Sequence, residues 1–181
     1  MPNTHCPKPI ALALIGFCVF LAILQSDFAF ASENKTDGSY TIYLIRHAEK
    51  QKRADDPPLT ECGHLRAKKF AEDFSATPLL AIYSSDYHRT QQTAAPVASQ
   101  KNLTIQSYNP AQLQDIANRL LDQRQTALVV GHSNTTAVLA GILSSQHLTE
   151  FSETEYDRIY KVEISNQQQK LTLTRQAFNC H

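Results

Sequence analysis

The sequence has 181 residues, and its 17 basic and 17 acidic side chains leave a formal net charge of +0. Neutrality excludes the broad basic face that a nucleic-acid partner requires, so any anion site must be local. Five glycines and eight prolines are too few for a disordered chain, and no internal repeat or low-complexity tract is present.

The first segment reads as a leader. Met1 to Pro9 carries one lysine, Lys8, Ile10 to Leu24 is an unbroken uncharged run, and Ala29-Phe30-Ala31 is a small-x-small triplet. That layout predicts a signal peptide over residues 1–31, with cleavage after Ala31 and a periplasmic or secreted protein. A membrane is a partner only if the leader is retained as an anchor, and the run is short for a span of about 20 apolar residues. Lys8 and Asp27 are the only charged side chains lost with the leader, so residues 32–181, enough for one compact domain, stay neutral. Cys62 and Cys180 remain in that domain. An oxidising compartment permits them to pair, and sequence alone leaves pairing and free thiols both open.

Tyr40 to Ile45 (YTIYLI) is rich in β-branched and aromatic residues and predicts a buried strand, ending at Arg46-His47-Ala48-Glu49-Lys50. A polar loop with the breaker Asp55-Asp56-Pro57-Pro58 follows. Thr60 is placed as the N-cap of a helix to about Phe74, with Leu65, Lys69 and Phe70 at helical intervals, Ala67 and Ala71 on a neighbouring face, and Arg66, Lys68 and Lys69 on its wet side. Leu79 to Ser84 predicts a second strand. Ser85-Asp86 is placed as the cap of a helix from Tyr87 to Ser99 in which Pro96 implies a kink or an early end. Leu103 to Ser107 predicts a third strand, and Asn109-Pro110 starts a helix to about Arg124. Ala127 to Val130 is a fourth strand, followed by Gly131-His132-Ser133-Asn134 and a helix to about Leu143. Tyr156 to Ile164 and Leu171 to Arg175 predict a terminal hairpin.

Strands alternating with helices predict an α/β domain around a mostly parallel sheet, to which the hairpin adds an antiparallel element. In such sheets ligands bind beyond the carboxyl ends of the strands. Arg46-His47, Arg89 and His132 each follow a predicted strand, so the topology brings them to one edge. Planar guanidinium donors match phosphate oxygens, and an imidazole that is neutral near pH 7 can act as nucleophile or proton carrier. Neighbouring arginines favour that neutral form. Nothing in the sequence resembles a metal-binding cluster of cysteine and histidine.

Tyr43-Leu44-Ile45-Arg46-His47-Ala48-Glu49 resembles the Arg-His-Gly/Ala-Glu signature of the histidine phosphatase superfamily, also called phosphoglycerate mutase-like. Leu59-Thr60-Glu61-Cys62-Gly63, the stretch Tyr83 to Ala94 around Arg89, and Val129-Val130-Gly131-His132-Ser133 resemble further family segments and fall in the family's order. The resemblance implies a small phosphatase with a three-layer α/β/α sandwich, acting on a small phosphorylated substrate without metal or organic cofactor. It implies that His47 becomes a covalent phosphohistidine, that Arg46 and Arg89 bind the phosphoryl group, and that His132 completes the pocket.

The proton donor does not carry over. Many members place a carboxylate after the third strand, where this sequence reads Gln106-Ser107-Tyr108-Asn109-Pro110. Asp115 lies on the predicted helix, and Glu49 is a candidate to line the pocket or donate. Ser133 and Asn134 either cap the following helix or reach the substrate, and Asn134 is kept as a candidate contact. Two rivals stay beside the phosphatase: a phosphoglycerate-type mutase, and a non-catalytic phospholigand-binding protein. The stretch from Ala94 to Gly131 is filled by a strand and a helix, leaving little for a substrate lid, which favours hydrolysis over the mutase.

Overall fold

The computed structural model describes residues 1–3, 38–52, 55–166 and 168–180. The chain divides into two units, Met1–Glu33 and Asn34–His181. Only residues 1–3 of the first unit are described, and the expected leader and its cleavage site fall outside the described residues. No helix among the described residues is long and apolar enough to cross a membrane.

The second unit is built on six strands in the order β3-β2-β4-β1-β5-β6. These are β1 (Tyr40–Arg46), β2 (Ala81–Ser84), β3 (Ile105–Ser107), β4 (Ala127–Gly131), β5 (Arg158–Ile164) and β6 (Gln169–Arg175). β1, β2, β3 and β4 pair in parallel, whereas β5 runs antiparallel to β1 and β6 antiparallel to β5. The hairpin therefore extends the sheet beside the strand that carries His47. Four helices, α1 (Glu61–Asp73), α2 (His88–Lys101), α3 (Leu113–Gln123) and α4 (Thr136–Ser144), cover its two faces.

Alternation along the central strands produces the three layers. Ile42 and Leu44 of β1, with Ala127 and Val129 of β4, pack on Ile116 and Leu120 of α3 and Leu139 and Leu143 of α4. Ile45, Leu128 and Val130 face the other way, against Phe70 of α1 and Val97 of α2. A strand wetted on neither face has no polar positions to give, which is why YTIYLI and ALVV read as nearly continuous apolar runs.

Three local expectations are corrected. On α1 the buried stripe is Gly63, Arg66, Ala67, Phe70 and Ala71, so Arg66 lies inward and Leu65 is 49% exposed. A Cβ at position 63 would stand 2.2 Å from the Glu49 carbonyl oxygen, so close approach to that backbone, rather than the leucine, sets the helix rotation. α2 runs unbroken through Pro96 to a left-handed Asn102 (φ 53°). Burial of Thr90, Thr93, Ala94, Val97 and Ala98 outweighs the one backbone hydrogen bond that proline removes. Neither Ser85-Asp86 nor Ser133-Asn134 caps a helix. The N-cap residues are Tyr87 and Thr135, and neither side chain makes a cap bond.

Candidate active site

The ladder between β1 and β4 sets the geometry. Arg46 lies opposite Gly131, and the His47 backbone N–H donates to the Gly131 carbonyl at 2.9 Å, so His47 and His132 leave adjacent strands at one level. Their ring centroids are 5.5 Å apart. Gly131 has to be small, because a Cβ there would stand 2.9 Å from the Tyr108 hydroxyl and 3.0 Å from the hydroxyls of Thr135 and Thr136.

His47 is 2% exposed, and its Nδ1 lies 2.7 Å from the Ala48 carbonyl oxygen. A carbonyl only accepts, so Nδ1 carries the proton and Nε2 is the bare nitrogen. Burial holds the ring's pKa down at about 3; the bond to Ala48 opposes this, and the charges of Arg46, His132 and Arg89 add to it. The resting ring is therefore neutral, with its lone pair on Nε2.

His132 has the complementary arrangement. Arg89 Nη2 lies 3.4 Å from its Nδ1, and Ser85 Oγ lies 2.9 Å from its Nε2. A guanidinium only donates, so Nδ1 accepts and Nε2–H is given to Ser85. Thr90 commits its hydroxyl proton to backbone carbonyls, so Ser85 passes its own proton to Thr90 at 3.0 Å. This relay fixes the ring from behind. Its pKa is lowered to about 4 by burial and then by Arg89 and Arg46, with Asp56 opposing.

The two arginines are held differently. Arg46 is 1% exposed, donates from Nη1 to the carbonyls of Ser152 (3.3 Å) and Glu155 (3.0 Å), and lies 4.2 Å over the Tyr156 ring. Arg89 lies 4.4 Å over Tyr87 and meets Asp56 through Nη1 at 3.2 Å. The Nε atoms of both are buried without a hydrogen-bond partner. Unspent donors beside two neutral imidazoles make a site for a tetrahedral anion.

A cleft of about 640 Å³ opens here, with His47, Lys50, Arg89, His132 and Asn134 in its wall. Of the residues named from sequence, His47, Arg89, His132 and Asn134 thus meet in one cavity. Arg46 is not in the wall but is near enough for its charge to act on both rings. Glu49 is not in the wall either; its carboxylate is taken by Arg66 at 2.7 Å. Asp115 borders a different hollow. Sequence reasoning passed over the supporting roles of Ser85, Thr90, Tyr87 and Tyr156, and the cleft-wall residues Glu150, Phe151 and Glu153. Ser85 and Thr90 stood inside the stretch around Arg89, so the fixed spacing from serine to arginine was their available signal.

A family model described as histidine phosphatase superfamily, branch 1, matches residues 42–116. That match covers less than half of the chain, and over this stretch the chain resembles the histidine phosphatase superfamily. The matched stretch contains His47 and Arg89, while His132 is added by the fold. Phosphoserine phosphatase 1 of Hydrogenobacter thermophilus is 38% identical over 71 residues, 35% of this chain and 34% of that protein. A probable phosphoglycerate mutase, GpmB, of Cronobacter sakazakii is 39% identical over 64 residues, 32% of this chain and 30% of that protein. The alignments thus span about a third of the length of these curated relatives. The mycobacterial glucosyl-3-phosphoglycerate phosphatase has the same fold, with a TM-score of 0.62 at 13% identity over 78% of this chain and 100% of that one. At that identity the likeness extends to the architecture of the sheet and its helices.

Proposed function

We propose that the protein is a phosphatase that takes a phosphoryl group onto His47 Nε2 and then passes it to water. The observation that carries this reading is the commitment of the His47 Nδ1 proton to the Ala48 carbonyl, which leaves a neutral, bare Nε2 beside the donors of Arg89. In the first step Nε2 attacks phosphorus in line with the ester oxygen, the N–P bond forms and the P–O bond breaks. The leaving oxygen takes up a proton. In the second step water attacks phosphorus, Nε2 departs with its electron pair, and inorganic phosphate is released. Arg46 and Arg89 neutralise the phosphoryl oxygens throughout. The arriving anion raises the pKa of the His132 ring, so Nδ1 gains a proton and becomes a further donor.

Glu49 is committed to Arg66 and is not the source of the leaving group's proton in this scheme. Glu150 and Glu153 stand in the cleft wall and are the carboxylates that line it for that task. A small phosphomonoester, acyl phosphate or phosphohistidine fits the same chemistry. The reading extends to an exported enzyme, supported by the leader pattern of residues 1–31 and by a Cys62–Cys180 disulfide, which suits an oxidising compartment.

The test is direct. Wild-type protein incubated with a labelled aryl phosphate and quenched should retain an acid-labile phosphoryl group, and folded His47→Ala should retain none and release no phosphate. Full activity in that variant would overturn the mechanism. The partial likeness to a probable phosphoglycerate mutase keeps that reading in the same assay: an isomerised product with almost no free phosphate would replace hydrolysis by transfer. Anion binding without turnover on any ester would leave a phospholigand-binding protein. The mass of the processed N-terminus tests export.

A further inference from the structure

Arg66 has all three guanidinium nitrogens engaged. Nε meets both carboxylate oxygens of Glu49 at 2.9 Å, and Nη2 meets Glu49 Oε1 at 2.7 Å. Nη1 donates to Gln176 Oε1 at 3.1 Å and to the Phe178 carbonyl at 3.4 Å, with the guanidinium carbon 4.9 Å from the Phe178 ring centroid. Gln176, itself buried, donates from Nε2 to Asp73 at 2.8 Å and from its backbone to the Asp157 carbonyl at 2.7 Å. Cys62 and Cys180, with Cα atoms 5.8 Å apart, are joined in a disulfide, which ties the segment after β6 to α1 one turn before Arg66. A carboxylate oxygen of Glu49 and the two sulfurs lie within 4.8 Å of one another. Arg66, Glu49, residues 176–178 and the disulfide thus form one cluster.

That cluster reaches the nucleophile through a single peptide. The carbonyl that accepts the His47 Nδ1 proton belongs to Ala48, and the other half of that peptide unit is the backbone nitrogen of Glu49. The unit is planar, so its carbonyl turns only together with the Glu49 N–H. Glu49 is fixed on both sides of its Cα, by Arg66 at the side chain and by the Thr60 N–H at its carbonyl (2.9 Å). Ala48 is fixed as well, its N–H donating to Thr93 Oγ1 at 2.9 Å.

We infer that Arg66 is a positioning residue for phosphoryl transfer, acting through Glu49 and the Ala48 carbonyl to hold the His47 proton on Nδ1, with the Cys62–Cys180 disulfide locking it in place. This rests on His47 being the nucleophile. Loss of the clamp lets the carbonyl swing and the proton pass to Nε2, which then has no lone pair to attack with. The tautomer, rather than substrate binding, is what fails.

The experiment compares wild type with Arg66→Ala, Glu49→Ala, their double variant, Arg66→Lys, and Cys62→Ala/Cys180→Ala, using an aryl phosphate and ¹⁵N shifts of the His47 ring. Arg66→Ala should lower kcat about tenfold or more with KM held within about twofold, the pattern of an interaction felt in the transition state. The double variant should be no slower than the worse single one, because both act through one path. The ring should change from Nδ1–H to a mixture of tautomers, and Arg66→Lys should recover part of both signals. Reducing the wild type should lower kcat in the same direction, with no further effect on the cysteine-free variant. Wild-type kcat and tautomer in folded Arg66→Ala, or additive losses in the double variant, would overturn the assignment; indifference to reduction would overturn the lock. Should Arg66→Ala not fold, Arg66→Lys and Glu49→Gln give the same reading. If wild type hydrolyses no ester, the phosphatase reading fails, and the ring spectra still judge Arg66.

Discussion

Arg46 and Arg89 on one hand and Arg66 on the other are all largely withdrawn from water, and they are satisfied to different degrees. Arg66 has a carboxylate, an amide and a carbonyl on its three nitrogens. Arg46 and Arg89 each keep a buried Nε without a partner, and the imidazoles beside them are held neutral. A buried donor without an acceptor costs about 1–3 kcal/mol, more for a charged group, so the cleft carries a deficit that a phosphate oxygen can offset. The contrast teaches how to tell them apart in this molecule: Arg66 spends every nitrogen on protein acceptors, whereas Arg46 and Arg89 each keep one buried donor in reserve.

The largest test of that contrast is to remove an incomplete arginine. Arg89→Ala should lower kcat/KM for an aryl phosphate by about a thousandfold, roughly 4 kcal/mol, as expected for a donor aimed at developing charge. Inorganic phosphate should raise the melting temperature of wild type and not of this variant, and an equal rise in both would separate Arg89 from the anion site.

Next in size is the effect of acid. Both ring pKa values are depressed in the folded state, so below the unfolded value of about 6.5 the unfolded chain binds more protons. Their contribution to stability is present above that pH and is lost as pH falls toward about 4 for His132 and about 3 for His47. The slope should approach about 1 kcal/mol per pH unit for each ring, measurable by urea unfolding between pH 7 and 4. Ring resonances that titrate near the ordinary value would show the rings to be solvated.

On the completed side, Gly63→Ala should cost about 1–3 kcal/mol by overpacking against the Glu49 carbonyl. An unchanged denaturation midpoint would mean that the close approach there is dispensable. The smallest effect belongs to Leu65→Ala. The side chain is 49% exposed, and its loss should stay within about 0.5 kcal/mol; a cost of several kcal/mol would return the leucine to the core.

That last residue marks where the sequence stopped being legible. Strands buried on both faces announce themselves by composition, so β1 and β4 were readable with their ends, and the strand ends carry His47, Arg89 and His132 to one edge. The rotation of α1 was not readable. A leucine outside and an arginine inside follow from Glu49 and Gln176, far from Arg66 in sequence, and no periodicity within the helix encodes them. The same holds for Tyr156. The polar string Glu155-Tyr156-Asp157-Arg158 does make the local pairs its charges suggest, Arg158 with Glu155 and Arg175 with Asp157. Its tyrosine nonetheless lies under Arg46, because the antiparallel pairing of β5 with β1 brings it there. The union of Cys62 with Cys180 likewise depends on where β6 ends in space.

The way in which Arg46 is held bears on how the protein could diversify. Its contacts to the loop before β5 are made by the carbonyls of Ser152 and Glu155, and the loop is further tied down by a bond from the Phe151 N–H to the Ser133 carbonyl. Main-chain moorings are blind to side-chain identity. Positions 150 and 153, which edge the cleft, can therefore be varied one at a time without breaking those moorings, the remaining carboxylate serving as proton donor, and new substrate preferences can be sought there first.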